Sequence, residues 1–143
     1  MNYIDLFSGA GGLSEGFLTA GFEPVVHVEY DRAACFTLKT RGVFHYLKKI
    51  NRLDTYYNYL RGDISRSELY KEVPTDIIDS VINAEIGIDN KAVFKKIEDA
   101  LGGGGVDLII GGPPCQAYSV VGRAPLKHKK DDERTSLYIQ YGR

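Results

Sequence analysis

Short apolar runs alternate along the chain with stretches whose apolar positions recur every three or four residues. Tyr3 to Phe7 is apolar apart from Asp5 and runs into Ser8-Gly9-Ala10-Gly11-Gly12, the pattern of a strand that ends in a glycine turn. Leu13, Phe17 and Leu18 follow at helical spacing, and Gly21 stands where a left-handed residue closes a helix. Pro24 to Tyr30 is a second apolar run, rich in valine. Asp31 is a candidate N-cap for a helix from Arg32 to Arg41, with Gly42 as its end. The opening segment thus predicts the order β-α-β-α. Such alternation requires parallel strands with helical crossovers, a doubly wound α/β sheet whose ligand edge lies beyond the carboxyl ends of the strands.

Further along, Phe44, Leu47, Ile50, Leu53, Tyr57 and Leu60 keep helical spacing and predict a helix over 43–60 whose tyrosines pack as an amphipathic face. Gly62, Asp63 and Ile64 break that pattern. Ser65 to Glu68 has the form of a capping box, and Asp89 is placed to cap a helix from Lys91 to Leu101. Gly102 to Gly105 form a flexible break before Val106 to Ile110, a compact buried strand that leads into Gly-Gly-Pro-Pro-Cys-Gln. Residues 66–104 read as a helical insertion of unassigned role. The mixed charge run Lys127 to Arg134 suits a solvated loop on charge alone.

Composition narrows the picture less than pattern does. A chain of 143 residues, 43% hydrophobic and 26% charged, suits one ordinary domain with a single core. Its formal net charge of −1 gives no overall attraction to a polyanion, so any nucleic-acid contact has to come from a local basic patch. Cys35 and Cys115 lie in unlike contexts, which argues for free thiols, a reducing compartment and no disulfide. No apolar run reaches membrane-spanning length, no leader pattern opens the sequence, and no metal-ligand spacing stands out; a soluble cytoplasmic protein without metal is expected.

Two places carry chemistry. Gly9, Gly11 and Gly12 let backbone amides approach a ligand at a helix N-terminus. The third glycine of the dinucleotide fingerprint is replaced by Ser14, so a nicotinamide oxidoreductase fits poorly and another adenosine-containing ligand fits better. Glu29, at the end of the second run, is placed to accept hydrogen bonds from both ribose hydroxyls. Asp63, expected near the end of the next strand, could accept from an adenine amino group, although Gly-Asp before a helix is more often a turn and cap. The second place is Cys115. The two prolines before it fix two φ angles and put the thiol on a restricted loop at the carboxyl end of a strand, where ligands bind; Cys35, among Ala33, Ala34, Phe36 and Leu38, reads instead as a buried core residue.

Five blocks in this order, DLFSGAGGLSEGF, VEYDRAA, GDIS, DLIIGGPPCQAYSVVGR and DERTSLY, resemble the cytosine-C5 DNA methyltransferases, enzymes common in bacterial restriction-modification systems. The resemblance implies a truncated Rossmann-like fold of the S-adenosylmethionine-dependent kind, with S-adenosylmethionine as cofactor and double-stranded DNA as partner. It implies that Phe7 stacks on the adenine, that Gly9, Ala10, Gly11, Gly12 and Leu13 surround the methionine part, and that Glu29 and Tyr30 hold the ribose and flank the adenine. Asp63 and Ile64 match the adenine-binding pair, and Pro114 lies where the family touches the cofactor. Cys115 matches the nucleophile that adds to C6 of a flipped cytosine, and Gln116, Ser119, Arg123 and Arg134 are candidate DNA contacts. The family's Glu-Asn-Val block, Arg-x-Arg block and target-recognition domain have no counterpart in these residues. The chain by itself is therefore expected to be nearly inactive, as a truncated piece or as one half of a split enzyme completed by a second chain. The alternatives left open are a cofactor-binding subunit and the branch of the family that methylates cytosine in tRNA.

Overall fold

The computed structural model describes residues 1–113. The chain enters a strand at once, β1 (Asn2–Leu6), turns through its glycines into helix α1 (Gly12–Thr19) and returns along β2 (Glu23–Glu29). Four helices follow, α2 (Arg32–Lys49), α3 (Leu53–Arg61), α4 (Arg66–Lys71) and α5 (Thr75–Asp79). The short strand β3 (Val81–Asn83), helix α6 (Asn90–Leu101) and strand β4 (Leu108–Gly111) complete the described residues.

All strand pairs are parallel and the order across the sheet is β3-β2-β1-β4, so the chain winds outward from β1 through β2 to β3 and then crosses back to pair β4 with β1. That reversal creates the switch point of a doubly wound sheet, and the crevice beyond the carboxyl ends of β1 and β4 is where such folds bind ligands. Leu6 stands in register with both Val28 and Gly111, which brings the ends of three strands to one edge.

Alternation along the strands sets the two faces. Ile4, Leu6, Val26, Val28 and Ile82 pack with Val93 and Ile97 of α6 on one face. Tyr3, Asp5 and His27 belong to the other, beneath α1, while Val81 meets Cys35 and Leu38 of α2. At the amino end of β1 the Asn2 amide donates to Asp107 (2.7 Å) and the Asp107 amide to the Asn2 side chain (2.8 Å), which fixes where β4 begins. A second core, Val43, Leu47, Leu69 and Val73, lies among α2, α4 and the residues after it, with Tyr46, Tyr56, Tyr59 and Tyr70 packed around it. The expectation that the tyrosines over 43–60 serve packing holds for Tyr46, Tyr56 and Tyr59; Tyr57 is exposed.

Three expectations change. Gly42 does not end α2, which continues to Lys49. A Cβ at Gly42 would lie 3.3 Å from Ile77, so glycine there serves the close approach of α5. The single helix over 43–60 is broken instead at Ile50–Arg52, where Asn51 takes a left-handed φ of 57°. Residues 66–104 are not wholly helical: they contain β3, whose three residues are too few to show an alternation, and α6, the crossover that leads to β4. The capping expectations are met. Ser65 and Glu68 form a reciprocal capping box, and the Asp89 carboxylate accepts the Ala92 amide at 3.1 Å.

Candidate functional site at the carboxyl edge

Beyond Leu6 the backbone turns sharply. Phe7 has φ 56°, a conformation that costs a non-glycine residue on the order of 1–3 kcal/mol and that concentrates at functional sites. Its half-buried ring packs against the core formed by Ile4, Val26 and Val28. Ser8 anchors the turn: its amide donates to the Val28 carbonyl at 3.2 Å and its hydroxyl to the Asp5 carbonyl at 2.8 Å. Gly9 and Gly11 take φ 54° and 84°, and a Cβ at Gly11 would come within 2.8 Å of Leu38, so the turn is held tightly against α2. At Gly9 and Gly12 an added Cβ would meet nothing within 4 Å. The amides of Gly12, Leu13 and Ser14 open α1, and as first-turn amides they have no intrahelical acceptor.

Glu29 ties this turn to β2. Its Oε2 accepts the Gly9 amide at 2.7 Å and its Oε1 accepts the Asp31 amide at 2.8 Å, with the side chain only 6% exposed. One carboxylate therefore joins the glycine turn to the start of α2, and its remaining lone pairs are free to take ligand hydroxyls. The Asp31 carboxylate in turn accepts the Ala34 amide at 2.7 Å as the N-cap of α2. Behind the clamp the Cys35 thiol donates to the Glu29 carbonyl at 3.3 Å, and burial pushes its pKa up, so it is an inert core thiol. The ends of β2 and β3 are fastened as well: Asn83 donates to the carbonyls of Glu29 (3.0 Å) and Tyr30 (2.8 Å), and the Ala84 amide donates to Glu29 (3.0 Å).

Two polar groups beneath the turn were not among the sequence candidates. Asp5 is 1% exposed, and among the described residues neither of its carboxyl oxygens has a hydrogen-bond partner. Burial raises its pKa to about 7, against the pull of the nearby Ser8 hydroxyl and with the charge of Glu29 adding to the rise. His27, opposite Asp5 in register, is also buried; that burial lowers its pKa to about 4, so the ring is neutral at physiological pH.

Of the residues singled out from sequence, Phe7, Gly9, Ala10, Gly11, Gly12, Leu13, Glu29 and Tyr30 converge on this edge, and Leu13 and Tyr30 display their side chains to solvent there. Asp63 and Ile64 do not. They follow α3 rather than a strand; Asp63 is exposed and accepts from Arg61 Nε at 3.0 Å, while Ile64 packs on the second core. The residues that do follow β3, the strand next to β2, are Ala84, Glu85 and Ile86. Glu85 is exposed at the mouth of a cleft of about 150 Å³ shared with Ile88 and Lys96, and Ile86 is buried in the sheet core. The sequence signal for them is slight, the apolar pair Val81-Ile82 followed by Asn-Ala-Glu-Ile. Pro114, Cys115, Gln116, Ser119, Arg123 and Arg134 lie outside the described residues. Among the described residues no group of three or more His, Cys, Asp and Glu side chains could hold a metal ion, and no helix is long and apolar enough to cross a membrane.

A switch-point crevice, a glycine turn at a helix N-terminus and an acid at the end of the second strand are the features with which doubly wound α/β folds hold nucleoside ligands. The chain matches the family model described as C-5 cytosine-specific DNA methylase over residues 1–66 and 75–143, and it belongs to that family. It is similar to the Type II methyltransferase M.Bpa9945I of Bacillus paralicheniformis, 39% identical over 162 residues that cover 99% of this chain and 36% of the relative. It is also similar to the Type II methyltransferase M.AgeI of Thalassovita gelatinovora, 33% identical over 99% of this chain and 24% of the relative. A third relative, the Type II methyltransferase M.AquIA of a Picosynechococcus strain, is 33% identical over 96% of this chain and 40% of its own length. The chain thus spans between a quarter and two fifths of the relatives' length. No solved structure matches it.

Proposed function

We propose that this chain carries the cofactor site and the nucleophile of a DNA cytosine-C5 methyltransferase of the restriction-modification type, acting in the cytoplasm. The single observation that supports it most is the Glu29 clamp, which unites the glycine turn with the end of β2 at the switch point. The residues present fit S-adenosylmethionine. Open space over Gly9 and Gly12, the first amides of α1 and the unpartnered buried carboxyl of Asp5 suit a zwitterionic amino-acid end, with the amides toward its carboxylate and Asp5 toward its ammonium. Glu29 takes the ribose hydroxyls, and Phe7 and Tyr30 flank the adenine.

We assign the adenine edge to Glu85 and Ile86 rather than to Asp63 and Ile64, because only the former pair follows the strand adjacent to β2. Alanine at Glu85 should weaken binding of S-adenosylhomocysteine about tenfold, the worth of one charge-assisted hydrogen bond, while alanine at Asp63 should leave it unchanged. Calorimetric titration of the two variants decides the assignment, and the opposite ranking would restore Asp63.

The bound cofactor supplies an electrophilic methyl group. Cytosine C5 is too electron-poor to take it unaided, so the Cys115 thiolate adds to C6 of a base flipped out of the duplex and makes C5 nucleophilic. After transfer the C5 proton is removed, the C5–C6 double bond re-forms and the thiolate leaves. The family's description supports DNA as the substrate, and the relatives' Type II names support the restriction-modification setting.

The reading is tested by titrating the protein with S-adenosylhomocysteine and with NADH. Binding of the first alone is expected, and Glu29→Ala should reduce it by about a hundredfold or more, since ribose contacts and turn geometry fail together. Binding of NADH alone would overturn the reading. Methyl incorporation is then followed on duplex DNA and on tRNA, with the protein alone and together with the regions present in its longer relatives. 5-Methylcytosine formed only in the tRNA would move the substrate to RNA.

A further inference from the structure

Ser14 occupies the place where dinucleotide folds use glycine to bring the first helix down onto the sheet. Here the side chain is 2% exposed and its hydroxyl lies 2.5 Å from Tyr3 Oη and 2.8 Å from His27 Nε2. Tyr3 Oη also donates to the Ser14 carbonyl at 3.2 Å. One residue of α1 is thereby bonded to β1 through Tyr3 and to β2 through His27. His27 is held neutral by burial and its Nδ1 has no partner among the described residues, where the bond to Ser14 is the only polar contact that orients the ring. Further along α1, Phe17 meets the Tyr3 ring at 5.6 Å and Phe22 at 5.4 Å, contacts without direction that seat the helix but do not fix its height.

From these contacts we infer that Ser14, with Tyr3 and His27, is a positioning device for the amino-acid end of the cofactor. Gly12 and Leu13, whose amides open α1, come immediately before Ser14, so its two bonds set how far those amides stand from the sheet. Without the hydroxyl the helix can settle toward the strands or rotate about its axis, and the amides no longer converge on a carboxylate. The nucleoside end is held separately, by Glu29 and the residues after β2 and β3, and does not depend on Ser14. The inference rests on the S-adenosylmethionine reading above.

The test compares two ligands that differ only at the end in question. S-adenosylhomocysteine carries the amino acid; 5′-methylthioadenosine lacks it. In Ser14→Ala the affinity for S-adenosylhomocysteine should fall about tenfold while that for 5′-methylthioadenosine stays within about twofold of the parent. Tyr3→Phe, which keeps the ring packing and removes only Oη, should give a smaller loss of about threefold with the same selectivity, and it decides the matter if Ser14→Ala fails to fold. The double variant should be no worse than Ser14→Ala alone, as expected for residues that act through one network. Equal losses for the two ligands, or folded variants that bind both as the parent does, would overturn the inference. Failure of the unaltered protein to bind either ligand would overturn the cofactor reading and this inference with it.

Discussion

In the protein supplied with the regions of its longer relatives, replacing Cys115 with serine is expected to lower methyl transfer by at least about three orders of magnitude and to leave S-adenosylhomocysteine affinity within about twofold of the parent. The separation follows from the architecture. Apart from Pro114, the cofactor contacts are assigned to the ends of β1, β2 and β3, locked by Glu29, Asn83 and Ser8 through bonds that do not involve Cys115. The thiol lies four positions past Gly111, which stands beside Leu6 at the head of the glycine turn. A serine hydroxyl is far harder to ionise than a thiol, and the assigned chemistry requires an anion that can both add to C6 and leave again. The check is a duplex with 5-fluorocytosine at the target position, on which the C5 hydrogen needed for release is replaced by fluorine. The parent should form an adduct stable on a denaturing gel and the variant none. Undiminished turnover by the variant would remove Cys115 from the mechanism. A parent that binds cofactor yet forms no adduct, even with the regions of its longer relatives supplied, would mark the chain as a cofactor-binding subunit.

The second large effect is on stability. Asp5→Asn should stabilise the unliganded protein at pH 8 and weaken S-adenosylhomocysteine binding about tenfold or more. Burial raises the folded-state pKa of Asp5 from 3.8 to about 7, so folding takes up a proton between those values. Stability from this group is therefore full below about pH 4 and falls as pH rises to about 7, with an upper bound on the order of 4 kcal/mol. His27 has the opposite sign. Its pKa falls from 6.5 to about 4, so its contribution is full above 6.5 and is lost as pH drops toward 4. The two slopes oppose each other between pH 4 and 6.5, and the parent should show a shallow profile there. The asparagine variant keeps only the His27 slope and should gain stability steadily from pH 4 to 6.5. Urea denaturation at pH 5, 6.5 and 8 checks this; a variant less stable than the parent at pH 8 would mean that the Asp5 carboxylate is stabilised in the fold.

The parts of this site written by short-range rules were legible in the sequence. The glycine turn, the acid at the end of β2, the Asp31 and Asp89 caps and the Ser65–Glu68 box each depend on residues a few positions apart. What needed the fold was anything set by pairing across it. Asp63 looked like the acid of the next strand because Gly-Asp-Ile precedes a capping box, yet β3 forms later, at Val81, where Asn83 can be fastened to Glu29 and Tyr30. Gly42 looked like a helix end because its contact with Ile77, 35 positions away in sequence, is invisible locally. Ser14 stood out only as the replacement of a fingerprint glycine, and nothing in the sequence joined it to Tyr3 and His27. Their meeting depends on the register between β1 and β2, which shifts between Tyr3 and Ile4.

Helix α2 serves two masters. Its first half, with Cys35 and Leu38, is moulded to the sheet, and its second half, with Val43 and Leu47, belongs to the separate helical core, with Gly42 at the joint. The family model passes over residues 67–74, which lie in that helical core and not at the carboxyl edge of the sheet. A change in the length of this flank would therefore be absorbed by the helical core, leaving the bonds around Glu29 on a separately packed part of the chain.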